Sequence, residues 1–308
     1  MYDIYQKTID RKISFSGVAL HSGKNSIITI NPGNEDQGII FKRTDLKENN
    51  LVIANYNNVS SAKLCTTLEN GHGVKVSTVE HLLAAFYIIG IDNALVEVNC
   101  EEIPIMDGSA KDFLDILKDT KLITLSKKRR YLKIIDKIEH LDGERKISIE
   151  PNKNSLEVGF QLNYKNKIIG KQKNVIDFKT DDLSEVSNSR TFCLYEDIEK
   201  IKQAGLAKGG SLDNAIVVEQ EKVLNKDGLR NEKEFVNHKI LDLAGDFLLS
   251  GFRVLGKVNC YQGGHELTNI FLRKIFKNES LYQIIELEDV IPTKKNNSSS
   301  TIKLAVNA

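Results

Sequence analysis

Apolar residues alternate with polar ones through the first part of the chain, and from Ser77 onward that two-residue period gives way to helical spacing. The runs Lys12-Ile-Ser-Phe-Ser-Gly17, Ser26-Ile-Ile-Thr-Ile30 and Gly38-Ile-Ile-Phe-Lys42 predict antiparallel strands, with Asn31-Pro-Gly33 as a turn between two of them. Ser77 to Ile89 predicts a helix that Gly90 stops, and Ala94-Leu-Val-Glu-Val98 predicts the strand after it. Ser109, after Asp107-Gly, is placed to cap a further helix through Lys118.

The same order returns later. Phe235 to Ser250 predicts a helix ending at Gly251, followed by the strand Val254-Leu-Gly-Lys-Val-Asn-Cys260, a glycine-rich loop and a helix from about Glu266 to Lys277. Val79-Glu-His81 faces Val236-Asn-His238 in this comparison, and Glu97-Val-Asn-Cys100 faces Lys257-Val-Asn-Cys260. The match is short, but it implies two related α+β halves, each with a histidine near a helix start, meeting at a shared cleft. The charged stretch from about 119 to 130 is the natural boundary, which puts the halves at 1–125 and 126–308.

Bulk properties narrow the class. At 308 residues and 41% hydrophobic content the chain can bury a core of two ordinary domains. Its 43 Lys and Arg nearly balance 42 Asp and Glu, so no overall field favours nucleic acid, and Lys127-Lys128-Arg129-Arg130 reads as a solvated linker. No stretch approaches the ~20 apolar residues of a membrane span, and Met1-Tyr-Asp-Ile-Tyr-Gln-Lys has no signal-peptide core, which predicts a cytoplasmic protein. Cys65, Cys100, Cys193 and Cys260 are far apart, which predicts reduced, mostly buried thiols rather than a thiolate cage or redox pair.

Candidate chemistry gathers around the six histidines. His238, Asp242 and Asp246 share one face of their helix, so an imidazole and two carboxylates point the same way from an apolar segment. Spacing of four suits two ligands of one ion, and His81 from the first half would complete the three His or carboxylate ligands of a catalytic zinc site. Asp246 lies roughly 12 Å of helix rise from His238, which places it to orient another histidine, with His265 in Gln262-Gly-Gly-His265 as the candidate. Glu80 beside His81 is placed to act as a base.

Blander readings exist for each. His and Asp four apart on a helix are ordinarily a surface ion pair. Ser77-Thr-Val-Glu80 fits a capping box, with Glu80 returning to the Ser77 backbone N–H, and His265 fits a turn. Two histidines and a carboxylate also describe non-haem iron oxygenases, although His-x-Asp on a strand is their usual pattern.

Several segments together carry a resemblance. Gly17-Val-Ala-Leu-His-Ser-Gly23, Ser77-Thr-Val-Glu-His81, Gly90-Ile-Asp-Asn93, Glu102-Ile-Pro-Ile-Met-Asp-Gly-Ser-Ala110, Arg190-Thr-Phe192, Gly209-Gly-Ser-Leu-Asp-Asn-Ala-Ile-Val217, His238-Lys-Ile-Leu-Asp242 and Gly263-Gly-His265 occur in the order found in one family. The chain resembles the UDP-3-O-acyl-N-acetylglucosamine deacetylases, metal hydrolases of lipid A synthesis in Gram-negative bacteria, over essentially its full length.

The resemblance implies an α+β fold of two related domains, each a mostly antiparallel sheet packed against helices, with one insert per half and the active site between them. It implies that His81, His238 and Asp242 hold Zn²⁺, with Fe²⁺ as the alternative, that Glu80 is the general base and that His265 is the acid, supported by Asp246. Thr191 would help hold the tetrahedral intermediate, while Lys239 and Phe192 would contact substrate, Lys239 at the diphosphate. The insert of about 190–220 would form an acyl passage lined by Leu20, Ile198, Ala207, Ser211, Ala215 and Val217. The implied partner is the UDP-3-O-acyl-N-acetylglucosamine substrate, without nucleic acid or a transmembrane segment, and the expected state is a monomer. Two competing readings are an amidohydrolase acting on another N-acetyl sugar and a non-catalytic lipid-nucleotide binding protein.

Overall fold

The computed structural model describes residues 4–287. Six helices occur among them: α1 (Glu80–Ile89), α2 (Lys111–Lys118), α3 (Ser184–Ser187), α4 (Tyr195–Gln203), α5 (Glu234–Leu248) and α6 (His265–Phe276). The stretch 288–308 of the expected C-terminal half lies outside the described residues.

The N-terminal sheet has the spatial order Ile13–Val18, Asn25–Pro32, Ala94–Val98, Ile39–Arg43, Leu51–Ile53, antiparallel except where Ile39–Arg43 runs parallel to Ala94–Val98. Alternation places Ile28, Ile30, Val96, Val98, Phe41 and Val52 in the core, as the two-residue period requires. The C-terminal sheet repeats this arrangement. Five of its seven strands, Ile138–Asp142, Arg145–Pro151, Arg253–Tyr261, Leu156–Asn163 and Lys171–Asp177, lie in that order, antiparallel except for the pair Leu156–Asn163 and Arg253–Tyr261, while Arg130–Ile134 also runs parallel to Arg253–Tyr261 and pairs with Tyr282–Glu286.

In each half the central strand follows the buried helix, α1 or α5, and precedes a second helix, α2 or α6. The internal match read from a few residues therefore extends to the whole topology. A small three-stranded sheet is added to each half, at Val59–Ser61, Thr67–Glu69 and Lys75–Val76 in the first and at Phe192–Leu194, Ile216–Glu219 and Lys222–Val223 in the second.

Helices α1 and α5 pack against each other between the two halves. Almost every residue of both is buried, α1 from Glu80 to Tyr87 and α5 at every position except Lys239. Helices covered on all sides need apolar residues around the whole circumference. Phe86, Leu82, Leu83, Phe235 and Phe247 meet that need, each contributing about 1.5–3 kcal/mol when fully buried. The crossing is tight because α5 carries Gly245, where an added Cβ would stand 2.1 Å from the carbonyl oxygen of Glu80. Gly90 ends α1 at φ 93°, a left-handed turn that costs glycine little.

At the far end of this pair Asp92 receives Arg129 at 2.7 Å and Arg253 at 3.3 Å, one arginine near the junction and one from the C-terminal half. Arg253 also donates to the carbonyls of Tyr87, Phe86 and Ile91, satisfying the end of α1. Arg129 is thus buried and paired rather than part of a solvated linker. Leu122–Lys128 forms an antiparallel ribbon with Tyr5–Ile9, so the expected boundary falls within a paired strand. Among the described residues no helix is long and apolar enough to cross a membrane.

The capping box does not form. Thr78 has φ 58°, a strained value for a β-branched residue, and this interrupts the helix so that α1 begins only at Glu80. The Ser77 N–H donates to the Glu101 carbonyl, and Ser77 Oγ accepts from Thr67. The Thr78 hydroxyl donates to Glu102 Oε1 at 2.9 Å, a bond that holds the left-handed residue in place. Ser109 is not the helix cap either: Ala110 holds that position without a side-chain bond, and the Ser109 hydroxyl accepts the Lys111 N–H at 3.1 Å from just before it.

Gly245→Ala tests the crossing. Although alanine favours a helix interior by about 1 kcal/mol, the overpacked contact should dominate and lower stability by about 1–3 kcal/mol, read as a lower urea midpoint at unchanged slope.

Candidate metal centre

The α1–α5 crossing brings together side chains that are 157 to 166 positions apart by number, His81 with His238 and Glu80 with Asp246. His81 Nε2 lies 3.4 Å from Asp242 Oδ1, and His238 Nε2 lies 3.3 Å from the same oxygen. One ligand atom from each of the three residues falls within 4.8 Å of the other two. Donors held at about 2.0–2.2 Å around a tetrahedral ion stand about 3.4 Å apart, so the two measured separations match edges of that polyhedron.

Hydrogen bonding supports the same reading. Asp242 Oδ1 is buried without a hydrogen-bond partner, as is His81 Nδ1. A buried carboxylate oxygen aimed between two imidazoles without a donor is costly unless a cation balances it. His238 Nδ1 pairs with the Ser189 carbonyl at 3.1 Å. Burial pushes the His238 imidazole down to about 3, so it is neutral, with the Nε2 lone pair facing Asp242. A second-ring-nitrogen bond to a carbonyl is the usual way to orient a ligating histidine.

Three more groups close around this triad. Glu80 is buried, which raises its carboxyl above the ordinary value despite the opposing His265 and His81. Its Oε1 lies 3.7 Å from His265 Nε2, and its Oε2 accepts the Thr66 N–H at 3.0 Å. His265 begins α6 and bonds through Nδ1 to Asp246 Oδ2 at 2.8 Å. Burial alone would lower the His265 imidazole, but Asp246, Glu80 and Asp242 outweigh it and hold the value up to about 10. A dication beside Asp242 would pull that value back, since it opposes the same charges.

The remaining expected site residues fall in two places. Lys239 Nζ lies 2.9 Å from Asp242 Oδ2 and 5.5 Å from the centre of the Phe192 ring, nearer the triad than its expected diphosphate role suggests. Burial opposes its charge, but Asp242 wins and raises it. The Phe192 ring stands 6.3 Å from the His238 ring and also lines a cavity of about 360 Å³. Thr191, Leu20, Ile198, Ala207, Ser211, Ala215 and Val217 line the same cavity, whose walls are mostly apolar. Helix α4 forms one side and presents Ile198 and Ile201 to it.

Sequence reasoning missed several participants. Thr66 and Ser189 act partly through backbone groups, which leave no residue-type signal. Glu234, fully buried at the start of α5, binds the Arg190 N–H and guanidinium and so ties α5 to the strand that follows Thr191. Arg190 was visible as part of Arg190-Thr-Phe192, but nothing in the sequence marked Glu234 as its partner.

Two histidines and a carboxylate able to share one ion, with a second carboxylate and a His–Asp pair alongside, define a metal-dependent hydrolase. Comparison with known proteins narrows this class. The family described as UDP-3-O-acyl N-acetylglycosamine deacetylase matches residues 6–277. The chain is 39% identical to the UDP-3-O-acyl-N-acetylglucosamine deacetylase of Pasteurella multocida over 289 residues, 93% of this chain and 94% of that one. It is 40% identical to the enzyme of the same name from Syntrophotalea carbinolica over 284 residues, covering 92% and 91% of the two chains. For the Legionella pneumophila protein of that name the identity is 39% over 294 residues, 94% and 96% of the respective chains. The chain belongs to the UDP-3-O-acyl-N-acetylglucosamine deacetylase family.

Metal analysis checks the triad directly. His238→Ala should lose the stoichiometric divalent ion that survives dialysis of the wild-type protein, whereas full retention would remove His238 from the ligand set.

Proposed function

We propose that the protein hydrolyses the N-acetyl group of UDP-3-O-(3-hydroxyacyl)-N-acetylglucosamine, releasing acetate and a free glucosamine amine for lipid A synthesis. The observation that carries this reading is the position of Phe192, which adjoins both His238 and the apolar cavity, so that an acyl chain and a scissile amide can be held side by side.

His81, His238 and Asp242 are the proposed ligands of Zn²⁺, with Fe²⁺ the alternative for the same nitrogen and oxygen donors. When bound, the ion supplies Lewis-acid polarisation of the attacking water and of the amide carbonyl. Glu80 takes the proton of that water through Oε1, its raised basicity bringing it closer to the working pH. His265, held as an imidazolium by Asp246, donates from Nε2 to the departing nitrogen. Thr191 is proposed to offer its hydroxyl to the tetrahedral centre. With Asp242 committed to a cation, the Lys239 ammonium becomes available to the diphosphate.

The cavity explains how a small acetamide can be held in register. A chain burying about ten methylenes contributes several kcal/mol at about 0.8 kcal/mol each, binding energy that need not come from the reacting group. An N-acetyl sugar lacking an acyl chain would leave this apolar space without a function. A purely binding role would leave Glu80 and His265 without one. The division near residue 125 gives each half a task, since the first brings the base and one ligand and the second brings the other ligands and the acid. One chain supplies every group named, so a monomer suffices.

Acetate release from the acylated UDP-sugar, lost with a chelator and restored by a divalent ion, tests the reading. Glu80→Gln should retain metal and thermal midpoint, because the amide oxygen can still accept the Thr66 N–H, while kcat falls by at least ~100-fold. If most turnover survives, another group activates the water. A bulky apolar residue at Ser211 should lower kcat/KM much more for long acyl chains than for short ones. Equal losses would mean that the insert only supports the fold.

A further inference from the structure

We propose that Thr66 is a positioning residue that couples the base and the acid of the site, a reading that rests on the deacetylase assignment above. Thr66 is 2% exposed and lies just before the strand Thr67–Glu69, outside both central helices. Its hydroxyl donates to Asp246 Oδ1 at 2.7 Å, and its backbone N–H donates to Glu80 Oε2 at 3.0 Å. Its carbonyl accepts the N–H of Val79, which precedes α1, at 3.4 Å. One residue of the N-terminal half therefore grips the start of α1 and reaches across to α5.

The geometry gives each bond a directional consequence. Asp246 has two oxygens, and Oδ2 is occupied by His265 Nδ1 at 2.8 Å. The Thr66 hydroxyl fixes Oδ1, so the carboxylate plane, and with it the direction of His265 Nε2, has one orientation. Glu80 is set in the same way, since Oε2 is anchored to Thr66 and Oε1 is left facing His265 Nε2 at 3.7 Å. The gap between base and acid is thus defined from a single residue, and misplacing reacting groups by about 1 Å is enough to cost on the order of 100-fold in rate.

A buried threonine can instead be a packing residue whose hydroxyl simply found an acceptor. The two roles separate experimentally. Thr66→Val keeps the backbone N–H and the branched shape but removes the bond to Asp246; Thr66→Ser keeps the hydroxyl and removes a methyl group. The proposal expects Thr66→Val to bind its metal fully, keep KM near wild type and lose kcat by about 10–100-fold, and expects Thr66→Ser to remain near wild type. In an Asp246→Asn background, adding Thr66→Val should cost little more, because both changes act on one unit.

The opposite pattern, Thr66→Val close to wild-type kcat, Thr66→Ser as impaired as Thr66→Val, or fully additive losses with Asp246→Asn, would overturn it. A second measurement is independent of turnover. In metal-free protein labelled at histidine nitrogen, the His265 Nδ1 proton should give an exchange-protected resonance in wild type and Thr66→Ser and lose that protection in Thr66→Val. Equal protection in all three overturns the proposal even if the wild type fails to release acetate, an outcome that would sink the deacetylase reading alone.

Discussion

Everything at the site depends on how closely α1 and α5 approach. A side chain at position 245 would meet the Glu80 carbonyl at 2.1 Å, so a glycine there allows the first turn of α1 to seat against the C-terminal part of α5. His81 then faces His238 with ring centres 5.0 Å apart, and both point at one oxygen of Asp242. Shifting the helices by the radius of a methyl group would open the triad beyond the reach of one small ion. Burial of the crossing by two sheets makes that distance a property of the core rather than of a loop.

The same burial sets the electrostatics. Glu80, Asp242 and Asp246 converge in a space from which water is largely removed, with Lys239 and His265 on the other side of the balance. A carboxylate in such surroundings must be paired, protonated or bound to a cation. Each of the three solves the problem differently, Asp246 by the Thr66 hydroxyl and His265, Glu80 by the Thr66 N–H and a raised proton affinity, and Asp242 by Lys239 on one oxygen. Asp242 Oδ1 is buried with no hydrogen-bond partner, and it is the oxygen that the His81 and His238 imidazoles both face. Environment thus assigns different chemistry to three like groups.

Thr78 and the repeated topology show how the chain delivers these groups. Both halves place a buried helix before the central strand of a five-strand pattern, so a duplicated framework presents one histidine from each side. The strained Thr78 turn starts α1 at Glu80 itself. Had the helix begun three residues earlier with a capping box, Glu80 would have turned back toward Ser77. Its carboxylate reaches Thr66 and His265 because that local arrangement was given up.

The sequence by itself determined the elements that periodicity controls and the residues whose chemistry is distinctive. The strands Ile13–Val18, Asn25–Pro32, Ile39–Arg43 and Ala94–Val98, the body of α1 but not its start, α5, the strand Arg253–Tyr261 and α6 were legible because burying one face of a strand or helix leaves a fixed spacing of apolar residues. His238, Asp242 and Asp246 were legible as one helical face for the same geometric reason. His81 was expected there from the pairing of the two halves, but the tertiary structure alone decided that Asp242 turns a single oxygen to both imidazoles and that Lys239 sits on the other. It also decided that Arg129 is buried on Asp92 rather than solvated, and that Thr66 and Glu234 matter at all. Those outcomes depend on contacts between residues far apart in the chain, and often on backbone N–H and C=O groups common to nearly every residue, so no pattern of residue types could encode them.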